Sequence, residues 1–390
     1  MIKKTGILLA GYSGAIGSTL VAGTDLIKNG FSQKYALFCE SSITEDQKTI
    51  ADKLGLPQLD DLVFSGWDMY EHSIEESLRC HKVLSENDII KVSADILNQR
   101  ALPVPCAVNK GEWGQEIEGI RSDIRNFREK NQLNYVVVVN CISTQPTPKW
   151  SEAHDSLDKF QESCYQGYEH ITPSMKYACA AVLESAGYIN FTPNLSAVPA
   201  IVTLAKEKGV PLAGRDGKTG QTFLKTVLAS ALNMRQLHID GWYSTNILGN
   251  RDGEALSEED AFQTKAISKL ACLDEIVGYK VDNHQVHIHH YSPRGDNKES
   301  WDNIDLQGFL GYSMQIKING LYRDSILAAP LILDMARLMT ISIKIQEGGL
   351  TEHLAAFFKY PEMPEGTNVI HDFFAQYSLL QKWIYKHLKN

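Results

Sequence analysis

The sequence predicts an α/β protein: a doubly wound parallel sheet with a second, more antiparallel unit set into it. Three observations carry this. A short apolar strand, Gly6 to Ala10, runs through a glycine-rich turn into a helix pattern. Four consecutive valines, Val136 to Val139, make the continuous apolar run expected of a central parallel strand covered on both faces. Strand and helix patterns then alternate from residue 172 to residue 213, as in a doubly wound sheet.

The elements follow in chain order. Tyr35 to Glu40 reads as a second strand, and Ala101 to Gly114, with Pro103, Pro105 and Gly111, as a long loop. Asn134 to Asn140 is the valine strand. Thr172 is an N-cap before Pro173 in the first helical turn, and Gly187 follows the last turn. Tyr188 to Phe191 is a strand, Ser196 to Lys208 a helix closed by Gly209, and Val210 to Ala213 another strand. After Gln221 the character changes. Phe223, Leu224, Val227, Leu228 and Leu232 recur at helical spacing. Val286 and Ile288 alternate with His287 and His289, and Met314, Ile316 and Ile318 with Gln315 and Lys317, as in half-exposed strands. The long apolar helix Ser325 to Ile345 and the tail return to the first unit. The boundaries read as 1–220, 221–323 and 324–390.

Composition bounds the function. The chain has 390 residues, 43% hydrophobic and 22% charged, enough for one or two large cores and too apolar for disorder. The 38 basic against 47 acidic residues give a net charge of -9, which argues against broad nucleic-acid binding but allows a small anion where a few cations gather. No apolar run is expected to reach the ~18 residues of a membrane span. The stretch after Lys3-Lys4 is short and glycine-interrupted, a first strand rather than a leader. The seven cysteines are scattered, with no C-x-x-C pair, which points away from disulfides and thiolate zinc and towards a reducing cytoplasm.

Gly11, Gly14 and Gly17 stand between the first strand and the first helix. Glycines there let backbone N–H groups approach a pyrophosphate, and the helix N-terminus adds partial positive charge, so the loop reads as a dinucleotide site. The spacing is G-x-x-G-x-x-G rather than G-x-G-x-x-G. An acid about 20 residues further on would bind the adenosine ribose. Spacing alone selects Glu40; Asp68, in Gly66-Trp67-Asp68, is the rival. Gly217-Lys218-Thr219 imitates a P-loop, but the glycine that motif needs five residues earlier is Leu212. A glycine-rich helix N-terminus at Thr219-Gly220-Gln221 remains, able to bind a phosphate. Lys265 and Lys269 share a helix face, and Lys298 sits in a turn; read locally, all three are solvated surface lysines. His284, His287, His289 and His290 lack a carboxylate at zinc-ligand spacing, so a metal role is not favoured. No G-x-S-x-G elbow, Cys/His nucleophile signature or H-E-x-x-H occurs.

Several stretches together resemble the myo-inositol-1-phosphate synthase family. They are Gly11 to Thr19, Gly66-Trp67-Asp68, Ile171 to Leu195, Ala213 to Thr222, Asn246 to Gly253 with Lys265 to Lys269, Gly295 to Lys298, and Asp324 to Pro330. They run in the family's order and span the chain to about residue 335. The resemblance implies a compact prokaryotic form with a Rossmann-type sheet, an inserted α+β catalytic and oligomerisation domain, and a cytoplasmic homotetramer. It also implies NAD-dependent conversion of D-glucose 6-phosphate to a myo-inositol monophosphate, by oxidation at C5, enolisation at C6, closure onto the C1 aldehyde and re-reduction. Nucleic acid and membrane are not expected partners.

Carried over by residue, the resemblance gives the adenosine ribose to Asp68 rather than Glu40, and we follow it. It sets Gly11, Gly14, Ala15, Ile16, Gly17, Ile142, Ser143 and Thr144 beside the dinucleotide, and Asp216, Gln221, Asp252 and Asp324 near its nicotinamide half. Thr219, Gly220, Gln221, Asn246, Leu248 and Asn250 become substrate-contacting positions. Lys265, Lys269 and Lys298 become catalytic lysines, with Asp252 beside them, and Lys359 is the candidate for a further one near the C-terminus. Lys265 would accept the proton at the oxidised hydroxyl, while Lys269 and Lys298 would sit at the phosphate and the enolate or aldehyde oxygen; these roles are interchangeable at this stage. The acids near the nicotinamide could hold an ammonium, potassium or divalent ion, and the sequence does not choose. Departures from the family pattern are Ala15-Ile16 for Asn-Asn, Thr219 for Ser, and Arg251 for Asn. Two rivals remain: an NAD-linked sugar-phosphate dehydrogenase, and a non-catalytic NAD-binding regulator of the same fold.

Overall fold

A computed structural model describes residues 4–42, 47–109, 111–249 and 272–388. Its strands are β1 (Thr5–Ala10), β2 (Leu62–Trp67), β3 (Tyr135–Asn140), β4 (Gly187–Asn190), β5 (Pro211–Gly214), β6 (His238–Leu248), β7 (Asn283–His290), β8 (Asn297–Gln307), β9 (Ser313–Arg323) and β10 (Gly349–Leu350).

Six strands form one parallel sheet in the order β10-β5-β4-β3-β1-β2. The valine run is β3, and Val136 to Val139 are all fully buried. Alternate residues of β1 and β3 point to opposite faces, as strand geometry requires. Ile7, Leu9, Val137 and Val139 join a core covered by the helices Ala15–Lys28 and Asp324–Lys344. Leu8, Ala10, Val136 and Val138 join a second core under Gly114–Asn131, Pro173–Leu183 and Pro199–Lys208. From β1 the chain passes to β2 on one side and to β3 on the other. The crevice outside the carboxyl ends of β1 and β3 is therefore the topological switch point, where α/β sheets bind ligands.

The other four strands form a mixed sheet, β7-β6-β8-β9, antiparallel except for β6 with β7. The helix Gln221–Met234 packs on it through Ala229 and Leu232, against Ile239, Trp242, Ile304 and Leu306.

Four expectations are corrected. Tyr35 to Glu40 is not a strand: it is a turn followed by a 3-10 helix, Phe38–Glu40, and the second strand is β2. Tertiary contact decided this, since Asp334 accepts hydrogen bonds from the Phe38 and Cys39 N–H groups at 2.6 and 3.0 Å and Arg337 pairs with Glu40 at 2.8 Å. The helix after Thr172 ends at Leu183, so Gly187 begins β4 rather than capping the helix. The helix closed by Gly209 begins at Pro199 rather than Ser196, because proline fixes the first turn. Finally, Asp324–Lys344 is long and apolar enough to cross a membrane, yet Ala328, Ile332, Met335, Ala336 and Met339 along it are buried against the parallel sheet.

That helix carries two charges into the core. Asp334 and Arg337 are fully buried; Arg337 also donates from Nε to the Pro57 carbonyl at 2.9 Å. The cations of Lys34 and Arg337 hold the Glu40 carboxyl below the usual range, against the opposing effect of burial. Removing one member leaves the others as uncompensated buried charges. Arg337→Ala should cost about 3–5 kcal/mol in urea unfolding. The double change Glu40→Leu/Arg337→Met should recover most of that loss, because it removes the unpaired charge.

Candidate active site

Register places the ends of three strands together. Ala10 pairs with Trp67 on one side and Asn140 on the other, so Gly11, Asp68 and Cys141 begin the three loops at the switch point. Gly11 and Tyr12 donate their N–H groups to the Trp67 carbonyl at 2.8 and 3.1 Å. Gly11 has φ +97°, and a Cβ there would lie 2.8 Å from the Cys141 carbonyl oxygen. A Cβ on Gly17 would lie 2.5 Å from the Tyr12 oxygen and 2.7 Å from the Gly11 oxygen. Glycine is thus required at both positions, by the turn and by close packing of the first helix on the loop. Gly14 is the N-cap of Ala15–Lys28; no side chain caps that helix, and its first turn has no acid. Ala15, Ile16 and Gly17 therefore open a helix N-terminus suited to an anion.

Asp68 follows β2 directly. Its Oδ2 accepts from the Ser13 N–H at 3.0 Å and its Oδ1 from the Tyr70 N–H at 3.2 Å, which fixes the carboxylate beside the glycine turn. Glu40, the choice by spacing, is engaged elsewhere by Arg337 and Lys34. Ile142, Ser143 and Thr144 follow β3, and Asn194 ties that loop down by donating to the Ser143 carbonyl and accepting from the Gln145 N–H. Beneath lies a buried amide network: Asn140 Nδ2 reaches Ser174 Oγ at 3.0 Å and Asn190 Oδ1 at 3.2 Å, and Thr192 Oγ1 donates to Asn190 Oδ1 at 2.8 Å. The Cβ-tight glycines, the bare helix N-terminus and the fixed Asp68 together suit a dinucleotide.

The loop after β5 forms the next wall. Asp216, with φ +62°, accepts from Lys359 Nζ at 2.7 Å, and the Lys359 N–H donates to the Asp216 carbonyl. Thr219 Oγ1 donates to Asp324 Oδ1 at 2.7 Å, and Lys298 Nζ lies 3.9 Å from Asp324 Oδ2. Segments near residues 219, 298 and 324 thus meet at one carboxylate. Gly220 caps the helix Gln221–Met234; a Cβ on it would lie 3.0 Å from the Tyr322 ring. Asn246 and Leu248 are buried on β6, opposite Ser300 and Lys298 of β8. Asn250, Asp252, Lys265 and Lys269 lie outside the described residues. Among the described residues, no group of three or more His, Cys, Asp or Glu could hold a metal ion.

Sequence reading missed several members of this wall. On Gln221–Met234 only Leu232 of the apolar stripe is buried: Phe223 is exposed and Leu224, Val227 and Leu228 are half-buried, while Gln221, Thr222, Lys225 and Thr226 are buried. Those polar residues also recur at helical spacing, a signal that was available. Lys225 Nζ lies 2.9 Å from His284 Nε2 and 5.2 Å from the centroid of the Trp242 ring. Its pKa is lowered, chiefly by burial. Lys218, in the P-loop look-alike, is buried too and donates to Gln376 Oε1 at 2.5 Å. Burial pushes it down to about 7.

Comparisons with known proteins agree with one another. Residues 5–385 match the myo-inositol-1-phosphate synthase family. Inositol-3-phosphate synthase 1 of Bacteroides thetaiotaomicron is 36% identical, over 97% of this chain and 94% of that protein. A probable inositol 3-phosphate synthase isozyme of Arabidopsis thaliana is 30% identical, over 97% of this chain and 85% of that protein. The crystal structure of inositol-3-phosphate synthase from Caenorhabditis elegans superposes with a TM-score of 0.88 at 26% identity, covering 99% of this chain and 86% of that one. A related protein from Thermotoga maritima shares the fold, with a TM-score of 0.78 at 22% identity over the full length of both chains.

Two outcomes follow from the geometry. Gly17→Ala should lose dinucleotide affinity by at least about tenfold in a fluorescence titration, since its Cβ would push the first helix off the loop. Lys218 is largely neutral in the folded protein above pH about 7, while the unfolded side chain stays charged to near 10.5. The unfolded chain then binds the extra proton, so the stability contributed at this position rises with pH across that window. Lys218→Met should therefore gain stability relative to the wild type at pH 7 and lose most of that advantage by pH 9.5, compared by urea midpoints.

Proposed function

Since the chain belongs to the myo-inositol-1-phosphate synthase family, we propose that it cyclises D-glucose 6-phosphate to 1D-myo-inositol 3-phosphate with NAD as resident cofactor. The observation that carries this reading beyond the relatives' names is the meeting of Thr219, Lys298 and Asp324 in a wall that also holds Gln221 and Asn246. A simple dinucleotide-binding module has no need of an ammonium held there.

Gly11, Gly14, Ala15, Ile16 and Gly17 would hold the pyrophosphate, Asp68 the adenosine ribose, and Ile142, Ser143, Thr144, Asp216, Asp252 and Asp324 the remaining edge. When bound, NAD supplies an acceptor that takes a hydride from the sugar and returns it within one cycle. The chain's own residues do the rest. Thr219, Gly220, Gln221, Asn246, Leu248 and Asn250 orient the sugar phosphate. Negative charge develops on substrate oxygens at the ketone, the enolate and the closing aldehyde, so fixed cations are the natural catalysts. An ammonium ~4 Å from an oxyanion at an effective dielectric of ~20 is worth about 4 kcal/mol, roughly a thousandfold in rate. We assign Lys298 and Lys269 to those oxygens and the phosphate, and Lys265 to proton transfer at the oxidised hydroxyl. Lys359, fixed by Asp216, adds a further cation.

We assign the enzyme to the cytoplasm as a homotetramer. Support for self-association comes from the outer side of the mixed sheet and its β8–β9 turn, which expose Trp301, Phe309, Leu310, Tyr312 and Leu321. Incubation with glucose 6-phosphate and NAD should yield periodate-releasable phosphate while NADH stays flat. A dehydrogenase would accumulate NADH in step with its product, and a regulator would give neither signal. Lys298→Ala and Lys265→Ala should each lower kcat by about a thousandfold while NAD affinity stays within about twofold. Loss of turnover and NAD binding together would mean a structural role.

A further inference from the structure

The inner face of the mixed sheet holds a buried carboxylate that the proposed cycle does not use. Asp302 lies on β8, four residues beyond Lys298 and on the same side of the strand. It is 4% exposed. Its Oδ1 accepts from Trp242 Nε1 at 2.8 Å and from Ser244 Oγ at 2.7 Å, and its Oδ2 accepts from Gln221 Nε2 at 2.8 Å. Lys225, one helical turn beyond Gln221, is close enough for Asp302 to favour its charged form.

The two ends of a primary amide are chemical opposites: Nε2 only donates and Oε1 only accepts. A carboxylate can only accept, so Asp302 holds Gln221 in one of its two orientations. Trp242 and Ser244 keep the carboxylate from turning away. One Nε2 hydrogen is engaged, and this turns Oε1 away from Asp302 as an acceptor left for a ligand. Gln221 opens the helix that follows Thr219-Gly220, beside the Thr219–Asp324 bond. Two more polar groups on the same face, the Asn246 amide and the Ser300 hydroxyl, are fully buried with no hydrogen-bond partner among the described residues. They are cross-strand neighbours in the β6–β8 register. This wall therefore offers hydrogen-bonding capacity that the described residues leave unused, as a polyhydroxylated ligand requires.

We propose that Asp302 is a positioning residue that locks Gln221 with its carbonyl oxygen towards the bound sugar phosphate, so that this wall accepts a hydrogen bond from a substrate hydroxyl. The inference rests on the function proposed above and adds the polarity of one contact to it. Asp302→Asn can donate to Gln221, which lets the amide flip and present its NH2 group to the substrate.

The test is a double-mutant cycle of Asp302→Asn and Gln221→Ala, with kcat/KM for glucose 6-phosphate, its dissociation constant by calorimetry, NAD affinity and melting temperature all measured. Asp302→Asn should lower kcat/KM and sugar-phosphate affinity about ten- to a hundredfold in the wild type, and less than about twofold in Gln221→Ala. NAD affinity should fall by a smaller factor than sugar-phosphate affinity. Equal losses in both backgrounds would make Asp302 a structural counter-ion for Lys225 and overturn the proposal. Should Asp302→Asn not fold, Gln221→Glu and Gln221→Glu/Asp302→Asn carry the test. The double variant restores a donor facing an acceptor, so recovery above Gln221→Glu supports the proposal and no recovery overturns it. A wild type that makes no cyclised product but binds glucose 6-phosphate defeats the proposed function, and the calorimetric cycle then decides the Asp302 contact on its own.

Discussion

Strand β9 ends at Arg323 and the long core helix begins at Asp324, with no residue between them. The rest of the arrangement depends on this junction. The mixed sheet cannot swing on a flexible linker at that point, because its last strand feeds directly into a helix buried against the parallel sheet. The first residue of the helix is Asp324, which meets Thr219 and Lys298, and Ser325 next to it donates to Asp296 Oδ1 at 2.7 Å. Two and a half to four turns further on, Asp334 and Arg337 fasten the same helix to the Phe38–Glu40 turn and to Pro57. One rigid element thus reaches from the crevice wall into the core, and the precision of the wall follows from the packing of the core.

The wall is built from groups that are costly to bury. Lys218, Lys225 and Asp302 are almost wholly removed from water, and Asn246 has both ends of its amide unpartnered among the described residues. An apolar set of the same volume would pack at lower cost. Here each charge is met by a polar or aromatic neighbour from a distant segment: Lys218 by Gln376, Lys225 by His284 and the Trp242 ring, and Asp302 by Gln221, Trp242 and Ser244. The C-terminal segment adds to the enclosure. Phe357, Lys359, Tyr360 and Glu362 exchange backbone hydrogen bonds with the loop Gly214 to Lys218, and Gln376 Oε1 accepts from Lys218 Nζ. The loop that carries Asp216 and Thr219 is therefore held by chain from far along the sequence.

Much of this was legible beforehand, for reasons that differ by residue. Val136 to Val139 announced a strand covered on both faces because period and composition are local properties. The glycine turn was legible because a loop that must approach a phosphate excludes Cβ atoms, and that exclusion is written in the residue types. The families of residues around Thr219, Lys298 and Asp324 were legible only through resemblance, since a lysine in a turn looks the same whether it faces solvent or a carboxylate.

By itself, then, the sequence determined the layered α/β architecture, the switch-point loop and the polar identity of the residues that follow Gly220. Tertiary structure alone decided that Tyr35 to Glu40 would be a turn rather than a strand, because the carboxylate capturing its N–H groups lies almost 300 residues away at Asp334. It also decided that the buried polar residues of Gln221–Met234 face inward, and that Asp302 reaches Gln221. Each of these is a contact between distant segments, and hydrogen bonds and ion pairs act over a few ångströms of space, not along the chain.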